Sequence, residues 1–231
     1  SWSDELALVL FVWATFLSIA TAYRHGQHIA IEHFVRKLGP ALQGSLAVLA
    51  EGLAGGYLVS LVVSGVEAYE FVARGMLNAL QVPQTVPYLA LPISAAIMLV
   101  HWLRHATEKT TTSTAVAKLA IALGFFCLVY LPIGSLVEIP GPARIALFML
   151  VLIGPILIGV PVAFVLGLVA TTYIAVHGGV PFNNIVLQMF FGTQSVSLIA
   201  IPLLILSGTI MHAAGIAERI VEFAQVLVGR M

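Results

Sequence analysis

The sequence has 231 residues, of which 60% are hydrophobic and only 9% are charged, with a mean hydropathy of +1.06. A soluble domain carries roughly 25% charged residues, so this composition excludes a soluble fold and indicates an integral membrane protein. Ten Lys and Arg residues balance ten Asp and Glu residues, so no basic excess points to nucleic acid. The single cysteine, Cys127, excludes an intrachain disulfide and a metal site built from several cysteines.

The first membrane span is predicted at residues 6–23, which carry no charge and can cross roughly 30 Å of hydrocarbon. The chain starts before it without an initiator Met or a signal peptide, and we expect it to be a fragment. Residues 29–38 place apolar side chains at i, i+3, i+4 and i+7 and charges opposite them. This pattern predicts an amphipathic helix lying in the membrane interface.

Three further spans are predicted at residues 41–66, within 75–103 and at 119–137. The third is expected to start after Pro83 or Pro87, where proline favours a helix start. Residues 104–114 form the one hydrophilic stretch, which we interpret as the main linker. Glu51 is the acid inside these spans. Because a charge at the bilayer centre costs at least ~2.5–3.5 kcal/mol, we expect Glu51 to be paired in preference to coupling protons.

Residues 145–217 contain no Asp, Glu, Lys or Arg. Their first 32 residues, 145–176, would make a helix of about 48 Å, longer than a bilayer core. Glycine and proline at 154–155 and 159–161 therefore predict either one strongly kinked span or two short segments. Residues 216–227 are again amphipathic and are expected to leave the membrane along its surface.

A small polar interruption, Gly192-Thr193-Gln194-Ser195-Val196-Ser197, lies inside this uncharged run. Irregular backbone within a membrane is tolerated beside protein or water, and transporters use interrupted helices to present oxygens to ions and substrates. One interpretation is therefore a re-entrant turn. The other is a kinked spanning helix whose Ser and Thr hydroxyls bond to their own carbonyls, and composition does not separate the two.

Lys and Arg in short loops predict the orientation. The positive charges after the first span and between the third and fourth spans place those loops in the cytoplasm. Ser1, residues 67–74 and residues 138–144 are then expected outside.

The first third of the chain resembles the small membrane subunit of TRAP transporters, the tripartite ATP-independent periplasmic carriers. The residues that carry this likeness are Trp2, Asp4, Glu5, Arg24, His28, Ile29, Ile31 and Glu32. Leu8 departs from the pattern, because an arginine is common there.

The last third resembles the start of the large membrane subunit, through GVPVAFVLGLVATTY at 159–173 and the stretch 192–229. Matching positions in the second stretch are Ser195, Leu198, Ala200, Ile201, Pro202, Ile205, Leu206, Gly208, Met211, Gly215, Ile216 and Arg219. Gln194, Val196 and Ser197 stand where the family has other residues.

The resemblance implies a fused small and large subunit with an all-α, polytopic helical bundle, an interfacial amphipathic helix and a re-entrant hairpin. Its expected domains are residues 1–106 for the small subunit without its first span, 107–140 for a linker and connecting transmembrane helix, and 141–231 for the start of the large subunit. The large subunit would move as an elevator against a scaffold extended by the small subunit.

By the same resemblance, the chain would be a permease of the bacterial inner membrane that imports small organic anions, carboxylates among them. Its partners would be a periplasmic binding protein, the substrate, the sodium ion and membrane lipid, with sodium as coupling ion and no other cofactor. Gln194, Ser195 and Ser197 would lie near a sodium site.

Three alternatives to transport can be compared with the sequence. His25, His28, Glu32 and His33 could suggest a metal cluster, but histidines at a membrane interface more often contact headgroups, and we expect no metal site. No convergent nucleophile, base or metal set points to an enzyme. A scaffold or assembly subunit without a transport cycle remains the alternative, because packed spans suffice for it.

Overall fold

The computed structural model describes residues 2–25, 34–108, 112–130, 140–177, 180–194 and 196–229. Within these ranges the chain forms ten α-helices, one 3₁₀ turn at Val35–Lys37 and no β-strand. In chain order the helices are α1 Trp2–Arg24, α2 Pro40–Val72, α3 Thr85–Tyr88, α4 Ala90–Glu108, α5 Thr112–Tyr130, α6 Gly141–Leu157, α7 Val162–His177, α8 Asn183–Thr193, α9 Val196–Ala213 and α10 Ile216–Val228.

Four stretches of the described residues are long and apolar enough to cross a membrane: Trp2–Arg24, Pro40–Val72, Thr85–Ala106 and Thr112–Tyr130. A fifth candidate is the pair Leu203–Ala213 and Ile216–Val226, whose two helices meet at an angle of 73°. The expectation of a polytopic helical membrane bundle is thereby confirmed. Half of the expected interfacial helix, residues 29–33, lies outside the described ranges, and within the other half Val35–Lys37 form a single 3₁₀ turn.

The chain divides into two compact units, Ser1–Phe190 and Phe191–Met231. In the first unit α2 is the central helix, with α3, α4, α5 and α7 packed around it and α1 packed on α4. Small residues on α2 make this close approach possible, as is common between membrane helices. A methyl group on Gly56 would lie 2.8 Å from the carbonyl oxygen of Ala122 in α5, so no larger residue fits there.

Aromatic contacts join α7 and α8 to the helices at the start of the chain. The Phe164 ring of α7 lies 5.6 Å from the Tyr23 ring and 5.9 Å from the Tyr57 ring, measured between centroids. The Phe190 ring of α8 lies 3.8 Å from that of Tyr88. These contacts build α1–α8, as far as Phe190, into one body around α2.

The uncharged run at 145–176 forms two short helices, α6 and α7, and not one kinked span. Their 17 and 16 residues reach about 25 Å each. Gly159 turns the chain between them with φ = +87°, a left-handed conformation that favours glycine. Pro161 directly precedes the first residue of α7, and its missing N–H suits the start of a helix.

Three predicted boundaries were wrong by several residues. The second span extends to Val72 instead of 66, the fourth begins at Thr112 instead of 119, and residues 104–108 of the predicted linker continue α4. In each case the helix continues through polar residues beyond its apolar segment, and no proline interrupts it there. The loop expected outside at 67–74 accordingly shifts to residues 73–84.

Candidate functional site

The backbone leaves the helical conformation at the polar interruption, between α8 and α9. Helix α8 ends at Thr193, and α9 begins at Val196. The backbone N–H of Gln194 donates to the carbonyl oxygen of Phe191 over 3.2 Å, which closes the last turn of α8. The C-terminal end of one helix and the N-terminal end of the next therefore lie three residues apart in the chain.

The three predicted site residues occupy different parts of this break. Gln194 is the half-buried turn residue, Ser195 lies outside the described residues, and Ser197 lies in the first turn of α9 with its side chain outside the description. The sequence-based sodium site therefore stays a prediction. The structure adds that a helix C-terminus and a helix N-terminus lie next to each other in the chain here. Helix C-termini attract cations and helix N-termini attract anions.

A second polar cluster lies inside the first unit, around Glu51 of α2. The Nζ atom of Lys118 in α5 is 2.6 Å from Oε2 of Glu51, an ion pair and not a well-aligned hydrogen bond. Nδ1 of His105 in α4 is 3.6 Å from the same oxygen. Only 6% of the Lys118 side chain is exposed, against 34% for Glu51. The expected pairing of Glu51 is confirmed.

Beside this ion pair lies a cavity of about 750 Å³, which we call the basic cavity. Its lining comes from the C-terminal ends of α1 and α4, the first half of α2 and the turn between α6 and α7. The residues are Tyr23, Arg24, His25, Ala50, Glu51, Ala54, His101, Trp102, Arg104, His105, Gly159 and Pro161. The indole N–H of Trp102 donates to the carbonyl oxygen of Glu51 over 2.8 Å and holds α4 against α2.

Sequence reasoning did not predict this cavity. Its signal is the spacing of His101, Arg104 and His105, which at i, i+3 and i+4 share one face of a helix. Lys118 could not have been assigned to Glu51 in advance, because the two lie on different predicted spans.

Glu5 holds the loop between α2 and α3. Its carboxylate accepts hydrogen bonds from the backbone N–H groups of Ala79, at 3.0 Å to each oxygen, and Leu80, at 2.8 Å. The loop is a tight hairpin, closed by a bond of 2.9 Å from the Leu77 N–H to the Val82 carbonyl oxygen. Glu5, one of the residues that carry the family likeness, thus connects the start of α1 to this loop by hydrogen bonds.

The histidines near the end of α1 form no metal site within the described part of the chain. His28, Glu32 and His33 lie outside it. His25 is described, and its Nδ1 atom lies 2.9 Å from the carbonyl oxygen of Thr21, one turn earlier in α1.

The spans, the helix break and the buried ion pair define a multi-pass helical membrane protein. Comparison with known families makes this more specific. Residues 1–112 match the family model of the DctQ component of tripartite ATP-independent periplasmic transporters, and residues 147–231 match that of the DctM component. The chain belongs to the TRAP transporter permease family, with sequences of both membrane components on one polypeptide.

Named relatives agree along the whole chain. The isethionate TRAP transporter permease protein DctMQ of Oleidesulfovibrio alaskensis is 25% identical over 237 residues, covering 100% of this chain and 36% of that protein. The sialic acid TRAP transporter permease protein SiaT of Haemophilus influenzae is 24% identical over 240 residues, covering 99% and 39%. A putative TRAP transporter large permease protein of Haemophilus influenzae is 41% identical over 87 residues, covering 37% and 20%.

This chain thus spans little more than a third of the two relatives that it matches throughout. The matched segments leave residues 113–146 between them. The finer domain boundaries at 106 and 140 stay predictions.

Proposed function

We propose that this chain forms the small component and the beginning of the large component of a sodium-coupled TRAP permease in a bacterial inner membrane. The observation that carries the proposal is the order of the two component matches on one polypeptide, together with an alignment over the full chain to a fused permease. The permease receives its substrate from a periplasmic binding protein, as the word periplasmic in the family description suggests.

The substrate class is a small organic anion. The relatives are named for isethionate, sialic acid and C4-dicarboxylates, all of which carry a sulfonate or carboxylate group. The same names describe transporters and permeases, which supports a transport function over an enzymatic one.

Sodium coupling is proposed at the break between α8 and α9. The last four carbonyls of a helix have no partner within it, and sodium is a hard cation that binds oxygen. The C-terminal end of α8 therefore suits the cation, and the hydroxyls of Ser195 and Ser197 and the amide of Gln194 can add oxygens. The N-terminal end of α9 suits the anionic group of a substrate.

Elevator transport needs a fixed body and a moving one. The packing of α1–α8 around α2, which joins residues of both component matches, supports a fixed scaffold in the first unit. Residues 191–231 form a separate unit and contain the proposed sodium site.

Uptake tests the proposal directly. The complete reading frame, reconstituted in proteoliposomes with its binding protein, should take up a radiolabelled organic anion only under an inward sodium gradient. Uptake that persists with potassium in place of sodium would show that transport is not coupled to sodium. A permease that binds its partner protein but moves no anion would leave the alternative, an assembly scaffold.

Membrane orientation gives an independent test. Single cysteines at Ser113 and Ala143, in a background with Cys127 replaced, should react with an impermeant maleimide from opposite sides of the membrane. The reason is that α5 crosses between them and the basic residues Arg104 and Lys118 favour the cytoplasmic side. Labelling of both cysteines from one side would contradict α5 as a connecting span.

A further inference from the structure

The basic cavity has the chemistry of an anion site. Arg24, Arg104 and three histidines line it, and the one acid among its described lining residues is Glu51. Because Glu51 is already neutralised by the ammonium group of Lys118 at 2.6 Å, its carboxylate does not cancel the arginines. The guanidinium groups of Arg24 and Arg104 are therefore the charged donors that the cavity offers to an anion.

The position of the cavity along the spans points to the membrane surface. Arg24 is the last residue of α1 and follows the uncharged residues 6–23, while Arg104 follows an uncharged run that ends at 103. Charges at the ends of spans lie at the level of lipid headgroups. Leu103, next to Arg104 in the chain, is 40% exposed, and Leu49, next to the cavity-lining Ala50, is 39% exposed, so exposed apolar side chains flank lining residues on both helices.

We propose that the basic cavity binds the phosphate headgroup of an anionic phospholipid from the cytoplasmic leaflet. Guanidinium groups match phosphate oxygens through paired N–H donors, and basic pockets between membrane helices on the cytoplasmic side bind anionic headgroups. A volume of about 750 Å³ accommodates a glycerophosphate group. The side chains of Tyr23, Trp102 and Pro161 supply a wall against which the glycerol and the first acyl carbons can pack.

This lipid would contact helices of both component matches. It touches α1, α4 and the turn between α6 and α7, and so ties the DctQ-like and DctM-like segments together at one end of the bundle. The proposal depends on the membrane orientation given above and not on sodium coupling or on the transported anion. Its failure would leave those proposals intact.

Native mass spectrometry of the complete reading frame, purified in detergent and delipidated, tests the site. The probes are dioleoyl phosphatidylglycerol and, as a zwitterionic comparison, dioleoyl phosphatidylcholine. We expect the phosphatidylglycerol adduct to survive at activation energies that remove phosphatidylcholine. Arg24→Gln combined with Arg104→Gln should weaken phosphatidylglycerol binding by about tenfold or more, because each charge-assisted hydrogen bond contributes roughly one factor of ten.

Arg74→Gln is the matched control, because Arg74 is an exposed arginine just beyond the opposite end of α2. It should leave lipid binding unchanged. Arg24 and Arg104 are themselves exposed, so the double variant should fold. If it elutes as aggregate, Arg24→Gln alone carries the test.

Three results would overturn the proposal. Equal phosphatidylglycerol binding in wild type and variant would show that the two arginines do not bind the headgroup. Equal retention of phosphatidylcholine would show that the headgroup charge is not recognised. Displacement of the lipid by 10 mM inorganic phosphate, chosen as a concentration on the order of a weak ligand's Kd, would identify a soluble anion as the occupant.

Discussion

Helices α2 and α9 are both strongly apolar, yet they differ in what surrounds them. On α2 most of the buried residues are Gly, Ala or Ser, and Leu58 among them is fully buried. On α9 the bulky side chains that the structure describes are exposed, and Leu204 keeps 71% of its surface open. Hydropathy finds both helices as membrane segments. Side-chain size, and not hydropathy, separates a helix that packs inside a bundle from one that presents its surface.

The largest difference between the two helices is expected when one glycine in each is replaced by leucine. Gly56→Leu should destabilise the bundle by about 3 kcal/mol, because the side chain meets the α5 backbone, which cannot move aside. A Cβ atom added at Gly208 in α9 meets no atom within 4 Å, so Gly208→Leu should stay within about 0.5 kcal/mol of wild type. Thermal unfolding in detergent measures both, and equal losses would contradict the packing role of small residues.

The ion pair of α2 has no counterpart among the described residues of α9, and breaking it is the next test. Glu51→Gln leaves the Lys118 ammonium group buried with a neutral partner and should cost about 2–3 kcal/mol, below the value for a fully buried pair because Glu51 is partly exposed. Glu51→Gln combined with Lys118→Met should recover most of this loss. If the double variant is no more stable than the single one, loss of the ion pair does not explain the destabilisation by Glu51→Gln.

Substitutions at the polar break near Ser195 should change transport, whereas substitutions in the Glu51–Lys118 ion pair should change stability. Ser195→Ala removes one oxygen and little volume, so folding should be retained while sodium affinity falls by about ten- to a hundredfold. Sodium titration of uptake by the complete permease measures the change. Ser207→Ala, on the same helix as Ser197 but three turns further, is the control, and identical sodium curves for both variants would favour a simple kink.

The smallest effect is expected for the hydrogen bonds that Glu5 accepts from the loop. Glu5→Gln weakens the hydrogen bonds to the Ala79 and Leu80 N–H groups by about 1 kcal/mol, since the charged acceptor becomes neutral. Hydrogen exchange at those two amides should accelerate by about fivefold. Glu70→Gln, at an exposed position near the end of α2, should not change it, and an equal acceleration there would point to a general loosening.

Much of the architecture was predictable because hydrophobic length and proline positions are local properties. The start of the third span after Pro83, the break at 159–161 and the need of Glu51 for a partner all follow from single stretches of sequence. Helix ends at Val72 and Thr112 were misplaced because a helix continues past the membrane wherever its residues allow. The basic cavity was missed because it joins four segments distant in sequence, and such proximity arises from packing.

The Lys118–Glu51 contact has a consequence for how such a polypeptide can be divided. The lysine belongs to the helix that follows the DctQ-like segment, while its carboxylate belongs to that segment itself. A gene cut between α4 and α5 would place the Glu51 carboxylate on one product and the Lys118 ammonium group on the other. Co-expression of those two products should restore insertion of both, with the charge pair acting as the recognition element that sets their relative depth.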